Sequence, residues 1–293
     1  MPLRVFTGRM AVRMKHHLGS VTQVLRFEPV PYRVRAWLGD ALAIDTTVGR
    51  VVWEPRRVVP VFGVPAEDVR GELRRTDPQP PAPDLAGLPP MLGPEDFGTH
   101  TTPGEIVDLV VGRHVLGAAG FRPNHPDLEG VVLVDFDAFT TWRTEDQVLV
   151  GHAHDPFKRI DVMASGRQVE VRLGDVILAS SKRALALWET HLPVRWYLPP
   201  DDVRMDLLEP SDHRTTCAYK GHATYLSIRG GERDIAWQYV EPLNDAARVA
   251  GYVCFWNERT DLFLDGVEIS RPTTPWSPAE EVARAESDRL EFG

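Results

Sequence analysis

The chain repeats itself once, and that repeat constrains its fold more than any other feature. The stretch Arg33 to Ala43 (RVRAWLGDALA) returns as Gln168 to Leu178 (QVEVRLGDVIL), which sets Gly39 and Gly174 135 positions apart. Trp53-Glu54 and Trp188-Glu189 keep that offset without a gap. After a slip of one residue, Pro65 and Asp68-Val69-Arg70 fall on Pro199 and Asp202-Val203-Arg204. Solenoid units repeat every ~20–50 residues, so a period this long reads as duplication of a whole domain. One architecture must therefore satisfy two diverged sequences.

Local signals in each copy are those of strands and tight turns. Val169, Val171 and Leu173 alternate with polar residues up to Gly174-Asp175, a pair suited to a two-residue hairpin because its first position tolerates positive φ. Further short strands are expected over 184–188, 195–198, 224–228, 235–239 and 252–255, with Gly230-Gly231 turning one pair. A modest helix is expected over 243–250, ended by Gly251. Ser277-Pro278-Ala279-Glu280 has the form of a capping box with Pro at the first helical position, which predicts a terminal helix over 277–290. Seven prolines from Pro78 to Pro94 exclude helix interior and central strand, so 76–98 reads as an exposed insertion in the first copy. The expected fold is mainly β: two tandem copies of a compact, largely antiparallel β domain, over 20–152 and 165–270, with a few short helices.

Two domains fit a chain of 293 residues, each able to bury its own core. Hydrophobic residues at 43% and charged residues at 26% are the composition of a globular protein. No apolar run approaches the ~20 residues needed to cross a bilayer, which argues against a membrane partner. The apolar stretches before Gly19 break too early for a secretory signal, so the expected address is cytoplasmic. A net charge of −9 argues against nucleic acid held by bulk electrostatics and leaves a small molecule as the expected ligand. Cys217 and Cys254 form no disulfide framework and no paired zinc arrangement. No motif specifies a cofactor or an oligomeric state.

The densest set of reactive side chains runs from Asp202 to Gly221 in the second copy and reads as a loop. Cys217 and Lys220 are its candidate catalytic pair, since a nearby cation favours the thiolate that makes cysteine a nucleophile. The competing reading makes Cys217 a small buried hydrophobe and Lys220 a surface charge. Arg204 suits a bidentate anion clamp, or equally a structural pair with Asp202, Asp206 or Glu209. Candidate ligand-binding residues are Arg204, Asp206, Glu189, Tyr197, Tyr219, Tyr225 and Trp237, with Glu189 pointing to the opposite strand face from Trp188. At the junction, His152, Asp155 and Arg159 could include a weak His-x-His metal pair with His154. A hydrogen-bonded connector with Arg159 and Asp161 paired is the plainer reading, and no metal is assigned. Where the second copy has Thr215-Thr216-Cys217, the first offers Thr101-Thr102-Pro103, so only one copy is equipped for thiol chemistry.

Several of these stretches resemble the family catalogued as domain of unknown function four-two-seven, which carries a nucleotidyltransferase-like label. They are Asp202 to Leu208, Thr216 to Tyr225, Ala236 to Tyr239 with Pro242, and Asp265-Gly266-Val267. His152, Asp155-Pro156-Phe157, Arg159 and Asp161 look like the connector of two-copy bacterial members. Ala218 stands where the family usually has Pro. The resemblance implies a tent-like antiparallel β domain, and its label suggests chemistry on nucleotides.

Two functional expectations follow. In one, the second copy is an enzyme for a small phosphorylated or nucleotide-like ligand, with Arg204 and Lys220 sharing one cationic pocket. In the other, the same groups form a non-catalytic module for a metabolite or peptide. No Walker-type phosphate loop or paired-aspartate metal motif stands out.

Overall fold

The computed structural model describes residues 19–77, 79, 88–89, 91–274 and 276–277. The chain divides into two units, Met1–Asp155 and Pro156–Gly293. The first carries, in chain order, β1 (Arg26–Pro29), β2 (Val34–Leu38), β3 (Ala41–Thr46), β4 (Arg50–Trp53), β5 (Val61–Pro65), β6 (Glu72–Arg75), β7 (Gly104–Val111), β8 (His114–Pro123), β9 (Val131–Val134), β10 (Thr141–Thr144) and β11 (Gln147–Leu149). The second carries β12 (Ile160–Ala164), β13 (Val169–Leu173), β14 (Val176–Ser181), β15 (Leu185–Glu189), β16 (Arg195–Leu198), β17 (Leu208–Cys217), β18 (Gly221–Ile228), β19 (Ala236–Gln238), β20 (Val253–Phe255), β21 (Asp261–Leu264) and β22 (Val267–Ile269).

Within each unit these strands make a seven-stranded and a four-stranded sheet. The larger sheets run β1-β4-β5-β9-β8-β7-β6 and β12-β15-β16-β20-β19-β18-β17; the smaller run β11-β10-β2-β3 and β22-β21-β13-β14. Matched strand for strand, the two orders are identical. The hairpin expected at Gly174 joins β13 to β14, and its counterpart at Gly39 joins β2 to β3; both glycines have φ of 58°.

Each seven-stranded sheet is covered on both faces, which explains why its central strands read as unbroken apolar runs. In β9, Val132 and Val134 enter the core between the sheets, whereas Val131 and Leu133 enter a second cluster with Phe97 and Phe121. In the second unit, Trp196 and Leu198 of β16 face the core between the sheets. Their neighbour Tyr197 joins Tyr225, Trp237, Tyr239 and Cys254 on the other face. A 3-10 turn over Asn244–Val249 covers that face. It stands where a helix was expected, and its buried residues Ala246 and Val249 are three apart, the spacing that a 3-10 turn aligns. Gly251 follows it at φ 72°.

Three readings of the sequence need correction. The segment ahead of Gly221 is not a loop: β17 is an edge strand paired with β18, its register broken between Pro210 and Arg214. Proline and polar residues disguised it, but an edge strand tolerates both, because only one side of its backbone is paired. The proline-rich insertion is not wholly exposed either. Leu92 and Phe97 are buried, and Leu92 N–H donates to the Arg56 carbonyl at 2.9 Å. The second unit's sheet begins at Ile160 in β12, ahead of the expected start at 165. The terminal helix expected over 277–290 lies outside the described residues beyond Ser277, whose hydroxyl accepts from Thr274 N–H at 3.0 Å.

The hairpin glycines give a direct check on the backbone. Gly174→Ala should lower stability to urea by about 1 kcal/mol, because a Cβ there meets open space yet must adopt a left-handed conformation. Gly166→Ala, with equally open surroundings and no positive φ, should be close to neutral.

Candidate functional site

The site is set by strand alternation in β15. Leu185 and Leu187 point to the second face of the seven-stranded sheet and Ala186 to the core, so Glu189 is carried to the second face while Trp188 stays 51% exposed on the other. There the Glu189 carboxylate is buried between two ammonium groups. Lys220 Nζ donates to Oε2 at 2.5 Å, and Lys158 Nζ lies 3.1 Å from Oε1. Lys220 comes from the turn between β17 and β18 and is only 7% exposed. Lys158 precedes β12, whose Ile160 pairs with Glu189; its Nζ also donates to the Thr190 carbonyl at 3.1 Å and lies 5.9 Å from the Tyr219 ring centroid. Cys217, the last residue of β17, is partly exposed and stands three residues before Lys220, near enough to bear on the charge of that ammonium.

Burial alone would drive these charges toward neutrality, yet they are held as ions. Burial works to raise the Glu189 carboxyl, but the Lys220 and Lys158 charges outweigh it and hold the group below the ordinary glutamate value. Burial likewise works to lower Lys220, while Glu189 and Cys217 raise it above the ordinary lysine value. Around them the phenols are buried and neutral: burial pushes both Tyr239 and Tyr197 upward. Tyr197 Oη accepts from Trp237 Nε1 at 3.1 Å, and Tyr225 Oη bonds Thr215 Oγ1 at 3.0 Å. A second buried ion pair lies on the same sheet face: Arg195 grips Glu258 with two contacts of 2.7 Å, its guanidinium within reach of both the Trp237 and the Trp256 rings.

The first unit carries the same carboxylate in a different setting. Glu54 follows β4 as Glu189 ends β15, and it too is buried. It accepts five hydrogen bonds: from Arg57 Nε, His100 Nδ1, the backbone N–H groups of Thr101 and Thr102, and Thr102 Oγ1. Since β7 begins at Gly104 and β18 at Gly221, His100 occupies the place of Cys217, and Pro103 that of Lys220. The alignment of Thr101-Thr102 with Thr215-Thr216 is thus out of register by three positions. The His100 ring stacks on Phe121 at 3.6 Å, so the first unit fills this place with its own side chains.

Of the residues expected at the site, the structure gathers Glu189, Cys217, Lys220, Tyr197, Tyr219, Tyr225 and Trp237 on or beside one sheet face. It does not bring Arg204 and Asp206 to them. Arg204 precedes β17 and Lys220 follows it, and a strand of that length spans roughly 30 Å. Arg204 instead pairs with Asp206 at 2.6 Å, both side chains exposed. The expected cationic pocket of Arg204 with Lys220 is therefore not formed, because the segment between them is extended rather than looped. At the junction, His152 Nδ1 bonds the Ala153 carbonyl at 2.7 Å, Asp155 interacts with Arg26, and Arg159 pairs with Asp161. Among the described residues no group of three or more His, Cys, Asp or Glu side chains is placed to hold a metal ion.

With this geometry in hand, the family match is specific to one half of the molecule. Residues 161–266 match the model of the family described as Domain of unknown function (DUF427). The DUF427 segment contains Glu189, Cys217, Lys220 and the phenols, and it stops short of Lys158, the one residue of the ion cluster that sequence reading passed over. Nothing in the sequence marks Lys158, since it reaches Glu189 only through the pairing of β12 with β15. No curated protein matches the chain. Among the described residues no helix is long and apolar enough to cross a membrane.

Breaking the cluster should be costly in an ordered way. Glu189→Gln, which leaves two ammonium groups without a counter-charge, should destabilise the second unit by about 3–5 kcal/mol in denaturant titration. Lys220→Met should cost less, because Lys158 still faces the carboxylate. The signs of the shifts fix the pH window. Glu189, depressed in the fold, contributes stability above its unfolded value of 4.5, lost as pH falls through the folded value. Lys220, raised in the fold, contributes below its unfolded value of 10.5, lost as pH rises through the folded value. Stability of the native chain relative to a Glu189→Leu/Lys220→Met variant should therefore plateau between those two limits and fall outside them.

Proposed function

We propose that the second unit handles a small anionic ligand at the Glu189 cluster, with Cys217 as the reacting group and Lys220 as the charge that supports it. What carries this reading is a partly exposed thiol three residues before an ammonium that is itself buried against a buried carboxylate. Buried ion pairs give little net stability compared with apolar residues of the same size, so keeping two lysines and a glutamate here favours a chemical role. Lys158, Lys220 and Glu189 together carry one more positive than negative charge, and the neighbouring rings suit a flat ligand. Phosphorylated and nucleotide-like compounds fit both features and match the nucleotidyltransferase-like label of the family. We also read the two units as products of one duplication, in which the second keeps the working site and the first has closed its own around Glu54.

A second reading, a non-catalytic binding module, is favoured by one observation: Glu189 already satisfies Lys220, so neither stands ready as a general acid or base. The two separate cleanly. In a thermal-shift screen of nucleoside phosphates and sugar phosphates, at least one compound should stabilise the chain, as any ligand of the native state does. Cys217→Ala should then abolish turnover of that compound while keeping the shift; loss of the shift alone supports the module.

The thiol itself can be probed without a ligand. Iodoacetamide should label Cys217 well ahead of the fully buried Cys254, and Lys220→Met should slow that labelling several-fold. A flat screen together with labelling indifferent to Lys220 would remove the basis for both readings.

A further inference from the structure

The opposite face of the same sheet carries a separate feature. Between the edges of the two sheets of the second unit lies a cavity of about 460 Å³. It is lined by Ala186, Trp188 and Trp196, the residues that alternate with Leu187, Glu189 and Tyr197, so it cannot share a ligand with the Glu189 cluster. Its floor is core: Ala186, Trp196 and Leu262 are buried members of the cluster between the sheets. Its rim is not, for Met163, Trp188 and Ile269 are exposed around the opening. Three large apolar side chains around one hollow are a costly surface, of the kind that marks a binding site. The volume lies within the ~300–1,000 Å³ of small-molecule sites. Charge is one-sided as well. Among the described residues Arg167 is the one ionic residue on the lining, and no carboxylate lines it. Arg167 gives Nε to Asp265 at 2.6 Å and is half exposed.

We propose that this cavity binds a small amphiphile, its apolar ring or chain seated on Trp188 and Trp196 and its anionic end directed to Arg167. The ligand class differs from that of the Glu189 cluster, and the proposal stands independently of it.

Two fluorescent probes test it on the full chain: anilinonaphthalene sulfonate, which has an apolar ring body and one negative charge, and phenylnaphthylamine, a similar body without the charge. Both should bind at one per chain. Met163→Trp, on the exposed edge strand and on the cavity face beside Ala186, should abolish binding of both. Arg167→Gln should weaken the sulfonate several-fold and leave the uncharged probe unchanged. Trp188→Ser, a rim change remote from the folding core, serves as a second cavity variant and should weaken both. Failure of either probe to bind, or binding indifferent to Met163→Trp and Trp188→Ser, overturns the proposal.

Discussion

A buried carboxylate at the end of one strand organises each half of this protein. Glu54 and Glu189 stand at equivalent positions, each carried by strand alternation to the second face of a seven-stranded sheet, and each would be expelled from that environment unless charge or hydrogen bonds met it. The first unit meets it with Arg57, His100 and the Thr101-Thr102 backbone, a set that ties its long insertion back to the sheet. Arg57 extends the tie, donating through Nη2 to the carbonyls of Asp96, Phe97 and Thr99. In the second unit two ammonium groups take the place of those partners. The same constraint is met by different groups, which surround Glu54 with donors in the first unit and set two ammonium groups against Glu189 in the second.

Much of the fold could be read from the residues, because the repeat supplied a check that a single sequence lacks. The Gly39 and Gly174 turns and the Trp-Glu pairs were visible at one offset, and the short apolar strands from Leu185 to Phe255 follow from β-branched and aromatic content. What escaped reading was non-local. β17 has the composition of a loop, and only pairing with β18 makes it a strand. Lys158 joins the cluster through the β12 to β15 register, which no local pattern encodes. Arg204 and Lys220 seemed close because a loop can fold back on itself, whereas an extended strand holds its ends apart.

The doubly covered sheet also explains how one domain can offer two unlike environments. In β15 and β16, successive residues alternate between an apolar cavity on one side and a polar, phenol-rich cluster on the other. Trp188 beside Glu189, and Trp196 beside Tyr197, mark that division at single-residue resolution. Changes on one side can therefore be made without touching side chains on the other.

The whole cluster depends on Glu189 remaining ionised in its buried setting, held so by Lys220 and Lys158. Its side-chain carboxyl can be followed directly by NMR of the full chain labelled at glutamate, titrated with acid and assigned by Glu189→Gln. The expected midpoint lies below the ordinary value of 4.5. A midpoint above that value would show a carboxyl governed by burial rather than by its two lysines, and would contradict that dependence.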